Sequence, residues 1–405
     1  MHKSNFRTPK RRFKQFKNAT GWKQQKLEDI ATFNPQSILP DKFEYIDLTS
    51  VTGTSILSHR TVEKALAPKS ARLLASSGDI FYQLVRPYQR NNYLYNLPYD
   101  NYVFSNGYAQ IRPNIDSYFL FNLLQNDQFL NVVIDRCTGS CYPVINPRNL
   151  RNIEVSAPQN INEQIKIGRF LEKIDKLISV QQSKLDKFVA LKKAYLCEMF
   201  PVSGECNPKR RFAGFTDAWK EQKLGDVADI ICGGTPRTNV QHYWDGDINW
   251  FVQSDIRSQI YLYESKKKIT QLGLKESAAK ILPVGTVLFA SVGAGLGNMA
   301  ILAKSGTTNQ GFQSITPHDN YLDSYFIFSR KEELKQYTKT IATATTFPQV
   351  TGKQMEVMPI RVPSLDEQHK IGKLFQSLDN NITIQQSNLE KLQRIKQSYL
   401  NEMLV

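Results

Sequence analysis

The sequence predicts an α+β protein: two mixed α/β globular segments, each followed by a long helix, with the helices pairing antiparallel about a pseudo-two-fold axis. Three observations carry that expectation. Glu163 to Phe200 aligns without a gap onto Glu367 to Leu404, and seventeen of the 38 positions are identical. Each half opens alike, with Pro9-Lys10-Arg11-Arg12-Phe13 returning as Pro208-Lys209-Arg210-Arg211-Phe212 and Trp22 as Trp219. Between these anchors runs a strand-and-turn pattern whose loops share almost nothing. A period of about 200 residues is too long for a solenoid and suits two copies of one domain plus helix. The expected organisation is a first globular domain over 1–158, a first long helix over 159–204, a second domain over 205–363 and a second helix over 364–405.

The helices follow from periodicity. Ile167, Leu171, Ile174, Ile178, Gln181, Leu185, Phe188, Lys192, Tyr195 and Met199 recur at spacings of four and three. The second copy repeats the series as Ile371, Phe375, Leu378, Ile382, Gln385, Leu389, Leu392, Lys396, Tyr399 and Met403. This is a heptad seam, and such a stripe must be buried against a partner. The other copy is the natural partner, and each helix would span about 50 Å at 1.5 Å per residue. Gln181 with Gln385 and Lys192 with Lys396 either fix the register or sit at the seam edge with their stems buried.

Strands are expected at Phe43 to Leu48, Asp79 to Val85, Ile248 to Gln253, Thr286 to Val292 and Met299 to Ala303. Turns are expected at Asp245-Gly246-Asp247 and Pro283-Val284-Gly285. Weaker echoes link the halves: Gly107-Tyr108 with Gly311-Phe312, and Thr138 with Tyr142-Pro143 against Thr343 with Phe347-Pro348.

Composition narrows the function. Of 405 residues, 52 are Lys or Arg and 37 are acidic, a net charge of +15 that points to a polyanionic partner such as nucleic acid. No apolar run approaches the roughly 18–20 residues of a membrane span. The basic N-terminus lacks the apolar core of a secretory signal, so a cytoplasmic location is expected. The five cysteines are scattered; Cys137 and Cys141 have no second pair, so reduced thiols are expected rather than a metal site.

Three polar and aromatic loops are candidates for reading base edges, although each also reads as an ordinary solvated loop. They are Arg86-Pro87-Tyr88-Gln89-Arg90-Asn91-Asn92-Tyr93, Gly233-Gly234-Thr235-Pro236-Arg237-Thr238-Asn239 and Thr307-Thr308-Asn309-Gln310-Gly311. Arg, Asn and Gln make bidentate contacts to guanine and adenine edges. Gly293-Ala294-Gly295-Leu296-Gly297 follows a strand, but a second strand follows it instead of a helix. A tight turn is therefore expected there, not a nucleotide loop. Asn34-Pro35-Gln36 and Asn146-Pro147-Arg148 lack the second proline and the aromatic that a base-methylating loop requires, so no catalytic residue is expected.

The second half runs from Leu224-Gly225-Asp226 through Gly233-Gly234-Thr235-Pro236, Tyr243-Trp244-Asp245-Gly246-Asp247-Ile248 and Thr308-Asn309-Gln310-Gly311 to Glu367-Gln368-x-x-Ile371-Gly372. With the repeated Glu-Gln-x-x-Ile-Gly start of each helix, it resembles the specificity subunits of type I restriction-modification enzymes, a bacterial defence system. The resemblance covers nearly the whole chain, although the first copy lacks the G-G-T-P and Y-W-x-G-D-I runs. It implies two target-recognition domains, each reading one half of a bipartite double-stranded DNA site. It also implies coiled-coil helices that set the gap and dock two methyltransferase subunits, with restriction subunits joining them. S-adenosylmethionine, ATP and Mg would be held by those partners, which methylate adenine, and no cofactor by this chain. The expected DNA contacts are Arg86, Tyr88, Arg90, Asn91 and Asn92 in the first domain. In the second they are Thr235, Arg237, Ser254, Asn298, Asn309 and Gln310. Lys10, Arg11, Arg12, Lys209, Arg210 and Arg211 are expected either to contact phosphates or to lie in solvated linkers. The rival readings are a stand-alone DNA adenine methyltransferase and a coiled-coil scaffold with no DNA role.

Overall fold

The computed structural model describes residues 6–139, 141–202, 204–256, 259–342 and 348–405. Thr343 and Phe347, used above to compare the halves, lie outside them. The chain divides into two compact units: Met1–Ser183 with Gln386–Val405, and Lys184–Gln385. Each unit therefore holds one globular segment, the front of the long helix that follows it and the back of the other long helix. The helices are Ile161–Glu198 and Leu365–Met403.

In the first unit a four-stranded sheet runs Tyr93–Leu94, Ile80–Gln83, Tyr108–Pro113, Ala31–Phe33. A second runs Arg60–Glu63, Lys42–Ile46, Tyr102–Ser105, Ala71–Leu74, with its two middle strands parallel. A third, three-stranded sheet pairs Trp22–Lys26 with Glu154–Ala157. The second unit repeats this plan. Its main sheet runs Ala228–Cys232, Phe312–Pro317, Val287–Ala290, Met299–Leu302, Tyr261–Leu262. A smaller sheet holds Trp244–Phe251 between Lys267–Ile269 and Thr307–Thr308, and Lys220–Lys223 pairs with Pro359–Val362. The fold class is the α+β duplication that the sequence predicts. One turn is corrected: Asp245-Gly246-Asp247 lies inside a strand. There the register slips between Trp244 and Ile248, and Asp245 takes a φ of 60°, so the segment is a bulge.

The heptad stripe becomes core. Ile167, Leu171 and Ile174 pack with Leu400, Met403 and Leu404 in the first unit. Ile371, Phe375 and Leu378 pack with Met199 and Phe200 in the second. Within each unit the two helix segments run antiparallel, for Phe170 meets Tyr399 while Asp175 meets Lys396. Lys192 bonds Asp379 at 2.5 Å, and Lys396 bonds Asp175 at 2.6 Å. Each lysine thus meets an acid on the facing helix, which fixes register as polar seam residues do.

The repeated Glu-Gln-x-x-Ile-Gly motif is where each helix is clamped to its own domain. Glu163, 1% exposed, grips Arg12, 5% exposed, through two bonds of 2.6 and 2.7 Å. Glu367 grips Arg211 in the same forked way at 2.9 and 2.7 Å. Gln164 accepts from the Asp116 N–H and donates to the Pro158 carbonyl. Gln368 does the same with Asp323 and Pro363. Asp116 and Asp323 cap the short helices Ser117–Leu124 and Ser324–Ser329. A Cβ on Gly168 or Gly372 would overlap those capping carboxylates. The glycine is required because two helices meet there.

Candidate nucleic-acid interface

The basic clusters that open each half separate into two kinds of residue. Arg12 and Arg211 are sunk in the clamps just described. Arg12 also donates to the Ala19 and Thr20 carbonyls. Hydrogen bonding to Glu163 pushes its guanidinium above the usual arginine range against the opposing effect of burial. These two arginines hold the helix to the domain and are not available to phosphate, which corrects the expectation for them. Arg11 and Arg210 stay 53% and 57% exposed while pairing with Glu402 and Glu198. Lys10 and Lys209 are exposed.

The second unit brings four separated segments to one place. The G-G-T-P loop leaves its strand at Cys232, and the Gly234 N–H donates to the Thr308 carbonyl at 2.8 Å. Thr235 Oγ1 donates to Gln310 Oε1 at 2.5 Å. Gln253 donates to the carbonyls of Val292 and Gly311, joining the end of Trp244–Phe251 to the glycine turn and to Asn309-Gln310-Gly311. The expected contacts Thr235, Asn298, Asn309 and Gln310, together with Ser254 beside Gln253, thus belong to one cluster. Asn309 is half-buried, its side chain capping the Gly311 N–H. Ser254 and Gln310 are exposed.

Arg237 is exposed at the tip of the G-G-T-P loop, and two tryptophans hold that loop. Trp250 donates its indole N–H to the Gly234 carbonyl at 2.8 Å, and Trp244 donates to the Arg237 carbonyl at 3.2 Å. The rings meet edge to face with centroids 4.9 Å apart. These positioning residues lie in the Y-W-x-G-D-I-x-W run. Sequence reading noted the run without a role; its signal was the pair of aromatics on either side of the bulge.

The first unit builds the matching place. Residues 78–91 correspond without a gap to 285–298, with Gly78 and Gly285 both at φ 88°. The Leu84 N–H donates to Gly107 as Ser291 does to Gly311, both at 2.9 Å. The Arg86 N–H donates to Pro143 at 2.7 Å as Gly293 does to Pro348 at 2.8 Å. Asn91 is therefore the counterpart of Asn298. Asn91 Oδ1 accepts from the Gly53 N–H, bringing the hairpin Val51–Ile56 to the loop. Sequence reading missed that hairpin, which carries no basic or amide-rich signal. Asn92 is buried, and its Oδ1 accepts from the Gln83 backbone. It shapes the loop and does not face a ligand, which corrects that expectation. Arg90 is half-buried and bound to Asp127 and the Gln125 carbonyl. Tyr88 is exposed, and Arg86, half-buried but with no ion pair among the described residues, lies 4.5 Å from the centre of the Tyr142 ring.

The asparagines of the two Asn-Pro runs have structural work. Asn34, at φ 46°, accepts from the Gln110 N–H, and Asn146 caps the turn Pro147–Arg151. Among the described residues no group of three or more His, Cys, Asp or Glu side chains converges, and no helix is long and apolar enough to cross a membrane.

Two copies of one unit, each gathering polar loops onto a sheet end, define a duplicated recognition protein. The profile of the type I restriction modification DNA specificity domain matches the chain twice, over residues 19–187 and 216–394. The chain therefore belongs to that family. It is similar to the type I restriction enzyme MjaIX specificity subunit of Methanocaldococcus jannaschii, with 34% identity over 180 residues, 44% of this chain and 41% of that protein. It is also similar to the type I restriction enzyme HindI specificity subunit of Haemophilus influenzae, with 20% identity over 388 residues, 78% and 81% of the two chains. In fold it resembles the crystal structure of a type I restriction-modification S subunit from M. genitalium. The TM-score is 0.65 at 16% identity, over 98% of this chain and 99% of that one.

Proposed function

We propose that this chain is the DNA-recognition subunit of a type I restriction-modification complex, each unit reading one half of a bipartite double-stranded site. Chemistry resides in its partners: two methyltransferase subunits carrying S-adenosylmethionine, joined by restriction subunits that use ATP and Mg. The observation that carries this reading is the matching place in the two units. The same backbone segments meet there through matching hydrogen bonds, while the side chains they present differ. A kept scaffold with diverged loops suits two readers of two different sequences. The stand-alone methyltransferase loses ground because the asparagine of each Asn-Pro run is used within the fold.

Arg237 and its neighbours Thr235, Ser254, Asn298 and Gln310 are the base-reading group of the second unit. Arg86, Tyr88 and Asn91 are that of the first. Lys10, Arg11, Lys209 and Arg210 are the phosphate group. Arg237→Ala, assembled with its methyltransferase subunits, is expected to lower affinity for the wild-type site about 5- to 150-fold and to relax the base preference in one half only. Lys209→Ala is expected instead to weaken every duplex alike and to reduce the salt slope by about one. Binding titrations at several salt concentrations check both. A uniform loss for Arg237→Ala would remove it from the base-reading group.

A further inference from the structure

The Arg86 loop follows the same path as a glycine loop in the other unit, yet carries arginine at two left-handed positions. Arg86 and Arg90 have φ of 53° and 54°; their counterparts Gly293 and Gly297 have 68° and 84°. Glycine adopts this conformation freely, whereas an L side chain pays for its Cβ. At Arg86, where the backbone bonds of the two loops match, the glycine copy shows that the path itself needs no side chain; at Arg90 the bonds differ, its N–H donating to Pro87 while that of Gly297 donates to Ala290. Arg86 is therefore explained by what its side chain does. Arg90 has an internal task, holding the helix start at Asp127 and the Gln125 carbonyl. Arg86 has none. Among the described residues its guanidinium has no carboxylate or carbonyl acceptor; it is half-buried and lies over the Tyr142 ring, itself 62% exposed.

A guanidinium over a ring face and without an ion-pair partner is a specific instrument. A ring face can hold the guanidinium plane and leave N–H donors along its edges for a ligand. A fixed plane matters for a ligand that offers two acceptors side by side. On duplex DNA such a pair is offered by phosphate oxygens and by the major-groove edge of guanine, with O6 and N7; Arg86 lies in the loop that carries Asn91, the counterpart of Asn298 in the second unit's cluster, and this placement favours the base edge. Resting on the DNA-recognition reading above, we propose that Arg86, held in plane by Tyr142, reads a guanine in the first unit's half-site.

Arg86→Gly tests this with the backbone preserved, because glycine occupies the same position in the second unit. The full chain, assembled with its methyltransferase subunits, would select from a duplex library randomised over both half-sites. The wild type should recover a motif with a fixed G·C pair in one half. Arg86→Gly should lose preference at that pair alone, by about tenfold to hundredfold, with an unfolding midpoint no lower than wild type. Arg86→Lys should lose the same preference while keeping affinity for unrelated duplex. Tyr142→Phe should keep the preference and Tyr142→Ala should weaken it. An unchanged motif in Arg86→Gly, or a loss shared equally by all sequences, overturns the assignment while leaving the two-reader account standing. A wild-type complex that selects no sequence overturns both.

Discussion

Glu163→Ala is expected to destabilise the first unit by about 3–5 kcal/mol, as removing one member of a buried ion pair does. The loss is large because three donors depend on this carboxylate. Arg12 spans both its oxygens, and Trp22 Nε1 donates to it at 3.3 Å. Without it the guanidinium keeps only the Ala19 and Thr20 carbonyls, the buried Trp22 indole loses its acceptor, and the helix start loses its bond to the opening segment. Total stabilities of about 5–15 kcal/mol make this a substantial fraction. The double variant Arg12→Met with Glu163→Met should recover much of the loss, because exchanging a whole buried pair for apolar groups costs far less than orphaning one charge. Urea unfolding of the three proteins reads the coupling. A Glu163→Ala protein within 1 kcal/mol of wild type would contradict the clamp.

Gly234→Ala is expected to abolish reading by the second unit while leaving the first intact. A Cβ at Gly234 would overlap the Ala278–Ala279 peptide, and one at Gly233 the Asn309 and Thr308 carbonyl oxygens. These neighbours are backbone, so no rotamer change relieves the clash, and the loop carrying Thr235 and Arg237 must leave its seat. The Trp250–Gly234 and Thr235–Gln310 bonds would go with it. Specific affinity should then fall towards the non-specific level, on the order of 10³-fold or more. Sequence selection should still return the first half-site. Wild-type affinity in this variant would mean that the loop does not read DNA.

Much of this was legible in the sequence, for identifiable reasons. The helices declared themselves by a sustained heptad, and the strands at Val287–Ala290 and Met299–Leu302 by short apolar runs between glycine turns. The Thr235, Asn309 and Gln310 segments stood out by composition, although their meeting is set by pairings tens of residues apart. The opening arginines misled because a basic run reads as solvated. Arg12 finds Glu163 across 151 residues, and nothing local distinguishes it from exposed Lys10. Asn92 misled in the same way, since an amide that shapes a loop from within has the same letter as one that faces a ligand. The Arg86–Gly293 equivalence was present as an ungapped stretch beginning at Gly78 and Gly285. Only the shared hydrogen bonds and positive φ angles give that alignment its meaning.

The central claim is that two separate readers share one chain. The direct test is to map methylated adenines in cells expressing this chain with its methyltransferase, beside cells expressing the Gly234→Ala chain. The wild type should mark a bipartite motif, two short fixed segments separated by a constant unspecified gap, and the variant should lose the fixed bases of one segment only. A single continuous motif, or a variant that alters both segments equally, would contradict the account.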